Sequence, residues 1–175
     1  MEVNEKIVEE YLKTVKGWFY MSDIPFEVPR NFSNIDILAY NPKENEYYDI
    51  EVKYRSVFKI SKNDIEKENG EFSNLLKQFC RKERNNKIKK IIGENHEVTK
   101  VFVTTRQYFG KTDRTIEEKF LEIIKKDFKK SEVWYFDDII PELFEHTDIN
   151  GRYNSELLQT VRLTKTYLKK NIKKD

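Results

Sequence analysis

Apolar residues recur at helical spacing at Val3, Ile7, Val8, Tyr11, Leu12 and Val15, which predicts an amphipathic helix over 2–16 with Gly17 as its cap. Trp18-Phe19-Tyr20-Met21 then opens a strand running towards Val28, with an expected interruption at Pro25 and a loop over 29–33. Two runs rich in β-branched and aromatic residues, 35–40 and 47–54, flank the polar stretch Asn41-Pro42-Lys43-Glu44-Asn45-Glu46 and predict a β-hairpin. Residues 59–71 are polar and of mixed charge and predict a mobile connection. Leu75, Leu76, Phe79, Ile88, Ile91 and Ile92 then predict one helix from Ser73 to Ile92, stopped by Gly93.

Further on, residues 98–104 predict a strand and 110–114 a turn. Ile116, Phe120, Ile123, Ile124 and Phe128 mark an amphipathic helix over 115–130, followed by a short strand over 132–136. A short helix over 137–145 is limited by Pro141, and a last helix over 155–172 ends in a basic tail. The order is helix, three strands, helix, strand, helix, strand and then helices. It predicts an α/β fold in which an antiparallel hairpin joins a mixed sheet flanked by helices.

Alternation along the second hairpin strand places Tyr48, Ile50 and Val52 on one face and Asp49, Glu51 and Lys53 on the other. A turn centred between Lys43 and Glu44 puts Asp36 directly opposite Glu51, an unfavourable pairing of like charges. A cation held by both carboxylates would remove the conflict. An acid pair with a lysine two residues along the same face is a pattern suited to phosphodiester chemistry at a metal.

Composition narrows the field. With 175 residues the chain fits one domain, with a core over about 1–136 and a helical extension over 137–175. Charged residues make up 37% but the formal net charge is only +2, so the distribution of charge matters more than its balance. No stretch has the length of a membrane span, the first residues lack a signal-peptide core, and a cytoplasmic protein is expected. Cys80 alone forms no internal disulfide, and His96 and His146 supply no zinc spacing. The absence of a Gly-rich phosphate loop argues against ATP-driven chemistry.

Asp36, then fourteen residues, then Glu51-Val52-Lys53 resembles the signature of the PD-(D/E)xK nuclease superfamily. Glu5 in the first helix, Tyr11-Leu12, the turn at Gly17, Ile35-Asp36-Ile37-Leu38-Ala39 and Glu51-Val52-Lys53-Tyr54-Arg55 are similar to the opening half of its Holliday-junction-resolvase-like and Mrr-like members. Ile35 stands where the superfamily name has a proline. The resemblance implies a restriction-endonuclease-like αβββαβ core with extra C-terminal elements, and a Mg²⁺- or Mn²⁺-dependent nuclease, most simply an endonuclease, acting on DNA. It implies that Asp36, Glu51 and the Val52 carbonyl bind the metal, that Lys53 orients the attacking water or stabilises developing charge, and that Glu5 completes the catalytic set. Glu9, one helical turn from Glu5, is its rival; Gln78 and Arg55 are accessory candidates, and a homodimer is expected.

Basic residues bear on the substrate. Between Lys77 and Lys90, seven cations face the single acid Glu83, which points to nucleic-acid contact by Lys77, Arg81, Lys82, Arg84 and Lys87. Residues 137–148 hold five acids and no cation, and the C-terminal tail reads as a solvated basic end. Two other readings stand beside the nuclease: a nuclease-fold protein without turnover that binds DNA or a protein, and an unrelated α/β interaction module with the acidic region 137–148 and the basic face 77–90 as partner surfaces; Asp36, Glu51 and Lys53 read without function are solvent-facing residues of an ordinary hairpin. Glu117-Glu118-Lys119 repeats the short motif, but on a predicted helix with no aspartate strand before it.

Overall fold

The computed structural model describes residues 2–54, 67, 70–110 and 114–171, so Arg55 and most of the connection expected over 59–71 lie outside the described residues. Five strands form a mixed sheet in chain order: β1 (Phe19–Val28), β2 (Asn31–Asn41), β3 (Glu46–Val52), β4 (Val98–Thr104) and β5 (Ser131–Tyr135). Pairing is antiparallel from β1 to β3 and parallel from β3 to β5. The expected antiparallel hairpin on a mixed α/β sheet is therefore present.

α1 (Val3–Tyr11) passes into a π-helical turn, Leu12–Lys16, that ends at Gly17 in the left-handed region, φ 68°. The Trp18 N–H returns to the Leu12 carbonyl at 2.9 Å and closes the helix end. The remaining helices are α2 (Glu71–Phe79), α3 (Lys82–Ile92), α4 (Arg106–Phe109), α5 (Thr115–Lys125), α6 (Phe136–His146) and α7 (Glu156–Asn171).

Alternation assigns the two sheet faces to separate layers. Ile37, Ala39, Tyr48, Ile50, Val101 and Val103 pack against Val8, Tyr11 and Leu12 at the N-terminal helix and against Phe136 and Ile139 of α6. On the opposite face Phe102 meets an aromatic-rich cluster that includes Phe72 and Phe79 of α2 and Phe120 of α5. Ile88 of α3 covers Ile24, Phe26, Ile35 and Leu38. The result is a sheet sandwiched between helices, α1 and α6 on one side and α2, α3 and α5 on the other.

Three elements differ from expectation. The helix expected over 73–92 is two, because Cys80 and Arg81 leave helical geometry and Arg81 is extended (ψ 134°). β1 continues through Pro25, paired with Asn34; an edge strand has one side free of ladder bonds and can accommodate a residue without an N–H. Pro141 lies inside an eleven-residue α6 rather than shortening it. Among the described residues no helix is long and apolar enough to cross a membrane.

Candidate functional site

The β2–β3 turn occupies residues 42–45. Asn41 starts it by accepting the Lys43 N–H on its side-chain oxygen at 3.1 Å, and Asn45 at φ 56° supplies the left-handed position. The ladder then runs Asn41–Glu46, Tyr40–Tyr47, Ala39–Tyr48, Leu38–Asp49 and Ile37–Ile50. Its next pair in register is Asp36–Glu51, the pair expected from the sequence, and the ladder stops one step short of it. The β1–β2 ladder behaves in the same way. It passes from Ser22–Ile37 to Ile24–Ile35 and omits Asp23–Asp36, with Asp23 in the left-handed region at φ 53°.

Asp23, Asp36 and Glu51 thus stand in one cross-strand row on three adjacent strands, and both ladders lapse at that row. At Asp23 the positive φ takes the backbone out of extended geometry, which accounts for the lapse in the β1–β2 ladder. It also breaks the alternation of β2, since Ile35 packs with Leu38 and Ile88 and not with Ile37. Asp36 compensates for its lost ladder by accepting the Val52 N–H on Oδ2 at 2.7 Å.

Electrostatics join the row to α1. Burial first, and then the Glu51 charge, push the Asp36 carboxyl up to about 8, while the Val52 N–H and the Arg84 charge pull the other way and Glu5 adds to the rise. Glu5 itself is held above its ordinary value by burial, opposed by the Glu2 N–H and reinforced by Asp23. Of the two rivals on α1, Glu5 therefore belongs to the acidic group. Glu9 is buried, its Oε1 has no hydrogen-bond partner among the described residues, and its charge acts on Tyr20, whose hydroxyl is raised chiefly by burial.

A second layer of charge lies beneath Glu51. Asp49 and Lys100, buried in the sheet, and Arg84 of α3 form an ion network in which only 2% of Arg84 and none of Asp49 is exposed. Arg84 donates from Nε and Nη2 to Asp49 at 2.7–3.2 Å and from Nη1 to Glu51 Oε2 at 2.5 Å. Lys100 Nζ donates to Asp49 Oδ2 at 2.5 Å, to Asn85 Oδ1 at 2.8 Å and to the Phe79 carbonyl at 3.1 Å. Burial would raise the Asp49 carboxyl, but the charges of Arg84 and Lys100 overcome it and hold Asp49 below its ordinary value. The Lys100 ammonium is lowered by burial, against the pull of Asp49.

Arg84 was expected among the nucleic-acid contacts. The structure corrects this, since the guanidinium is spent inside the protein. The signal was present in the sequence: Arg84 lies four residues before Ile88 and eight before Ile92, on the apolar stripe of its helix. Lys77 and Lys82 are exposed and Arg81 and Lys87 half-buried, so these four stay at the surface. Gln78 is exposed at the last turn of α2, and nothing described brings it to Asp36 or Glu51.

Lys53 follows the last residue of β3 but remains tied to the sheet. Its N–H reaches the Val103 carbonyl at 2.8 Å and its carbonyl accepts the Thr104 hydroxyl at 2.8 Å. Lys53 is half-buried and lies two residues beyond Glu51.

Asp36 and Glu51 are hard oxygen donors on adjacent strands, of the kind that suits hard cations such as Mg²⁺ or Mn²⁺. Among the described residues no three His, Cys, Asp or Glu side chains converge as a metal-binding group. No protein-family model matches the chain, and comparison with curated proteins and with solved structures finds no significant similarity.

Proposed function

We propose that the chain is a metal-dependent nuclease hydrolysing DNA phosphodiester bonds, built on a restriction-endonuclease-like variant of the α/β sheet. The observation that carries this reading is the acidic row. The register brings Asp23, Asp36 and Glu51 to corresponding positions on three adjacent strands, and burial with the Glu51 charge raises the Asp36 carboxyl. Such local conflict with the fold is characteristic of sites kept for function.

In this reading Asp36, Glu51 and the Val52 carbonyl would hold Mg²⁺ or Mn²⁺. The bound ion would supply polarisation of the scissile phosphate and a lowered pKa for an attacking water. Lys53, whose backbone is bonded to β4, would supply the cation that orients that water or stabilises charge developing on the phosphate oxygens. Glu5 and Asp23 deepen the negative field in which a cation settles. Lys77, Arg81, Lys82 and Lys87 supply a surface for the phosphate backbone.

A second reading, a nuclease-fold binding protein without turnover, draws support from Arg84, which already neutralises Glu51 without an ion. Cleavage decides between them. Labelled single-stranded, duplex, flapped and four-way-junction DNAs are incubated with wild type, Asp36→Ala or Lys53→Ala in Mg²⁺, Mn²⁺ or EDTA. Metal-dependent cutting abolished by both changes is the expected result. Binding without cutting in either metal favours the second reading.

A further inference from the structure

We propose that Arg84 is a positioning residue that fixes Glu51 as a one-oxygen metal ligand, an inference that rests on the reading of Glu51 as a ligand given above. Asp49 and Glu51 are two residues apart on the same face of β3, which separates their Cα atoms by roughly 6.5 Å. One guanidinium spans that gap. Its Nε and Nη2 grip Asp49 and its Nη1 donates to Glu51 Oε2 at 2.5 Å.

The grip on Asp49 is firm because Asp49 cannot move. It is fully buried, its Oδ2 also accepts from Lys100, and Lys100 is in turn held by Asn85 and the Phe79 carbonyl. Glu51, by contrast, is 14% exposed and has three rotatable side-chain bonds. The Arg84 bond to Oε2 selects one of its rotamers. With Oε2 committed to Arg84, Oε1 is the oxygen that remains for a cation shared with Asp36. A lysine carries the same charge but not the planar fork that reaches both carboxylates, so position and charge can be separated experimentally.

The test is Arg84→Lys, compared with wild type by calorimetric titration with Mn²⁺ alone and by cleavage of duplex DNA over a range of Mn²⁺ concentrations. Outer-sphere groups that orient metal ligands are typically worth ~10–100-fold in metal affinity or activity. We expect a loss of that size in Mn²⁺ affinity or kcat, with an unchanged KM for DNA and part of the activity restored at high Mn²⁺. A folded Arg84→Lys with wild-type Mn²⁺ affinity and kcat overturns the proposal, because a guanidinium that only neutralises buried charge would be replaced by the ammonium.

If Arg84→Lys does not fold, the side-chain ¹H–¹⁵N resonances of Arg84 are followed in intact wild type during Mg²⁺ titration and compared with those of Glu51→Gln. Resonances that shift with Mg²⁺ in wild type and not in Glu51→Gln support the assignment; resonances indifferent to Mg²⁺ overturn it. The two readings fail separately. Wild type that binds Mn²⁺, is weakened by Arg84→Lys and cuts no DNA loses the nuclease reading and keeps the role of Arg84. Wild type that cuts DNA as well as Arg84→Lys does the reverse.

Discussion

Replacing Asp36 by asparagine should stabilise the metal-free protein, increasingly so as pH rises. The folded carboxyl sits at about 8 against an ordinary 3.8, so the folded state binds this proton more tightly than the unfolded chain does. Below pH ~4 both states are protonated and Asp36 has no effect on stability. Between pH ~4 and 8 the unfolded chain ionises while the folded one retains its proton, and stability is lost at up to about 1.4 kcal/mol per pH unit. At pH 7 the linkage ceiling is about 4 kcal/mol; partial exposure of the side chain and rearrangement of its neighbours reduce the expected effect to roughly 2 kcal/mol. Asparagine carries no charge for Glu51 to repel and retains an oxygen for the Val52 N–H. Urea unfolding of wild type and Asp36→Asn at pH 5, 6, 7 and 8 in EDTA, followed by tryptophan fluorescence, measures the difference. We expect the variant to gain on wild type with each step up to about pH 8, above which the difference levels off. A pH-independent difference, or a variant less stable than wild type at pH 8, would refute the claim that Asp36 is held in a hostile environment.

Other consequences are checked by similar means. Asp49→Ala leaves Arg84 and Lys100 buried without their shared counter-ion and should lower stability by about 3–5 kcal/mol in urea unfolding; a loss below about 1 kcal/mol would show that the network is dispensable. Gly17→Ala should lower stability by about 1 kcal/mol through backbone strain alone, since φ is 68° and no atom lies within 4 Å of the added carbon. Lys165 donates to the carbonyls of Phe144, Glu145 and Thr147 at 2.9 Å, so Lys165→Met should speed hydrogen exchange at the end of α6 and in α7 while leaving the sheet unchanged.

The hairpin was legible because its strand runs are apolar and its turn is rich in Asn, Pro and Glu, which fixed both the register and the opposition of Asp36 to Glu51. The break in β1 was misplaced. Pro25 is the conspicuous residue, but an edge strand absorbs it, and the actual disturbance is at Asp23, whose positive φ interrupts the ladder opposite Asp36. That effect belongs to the pairing of two strands and cannot be seen in either alone. Arg84 was assigned to the surface because its neighbours from Lys82 to Lys90 are mostly charged or amide side chains. Its burial follows from tertiary ion pairs with Asp49 and Glu51, although a cation on the apolar stripe of a helix and a lysine within Val-Thr-Lys-Val-Phe-Val are both visible irregularities. Residues 73–92 divide for a reason of the same kind. Phe79 packs against Phe102 while Lys100 takes the Phe79 carbonyl, so α2 ends where the buried network begins.

The central claim is that the acidic row is held together to share a cation between Asp36 and Glu51. The most direct measurement is a calorimetric titration of the intact chain with Mn²⁺ at pH 7, in two buffers of different ionisation enthalpy, for wild type, Asp36→Asn and Glu51→Gln. Wild type should bind one ion and release about one proton, because Asp36 enters the titration protonated, and both variants should lose that binding. No uptake by wild type, or uptake indifferent to both substitutions, would contradict the account.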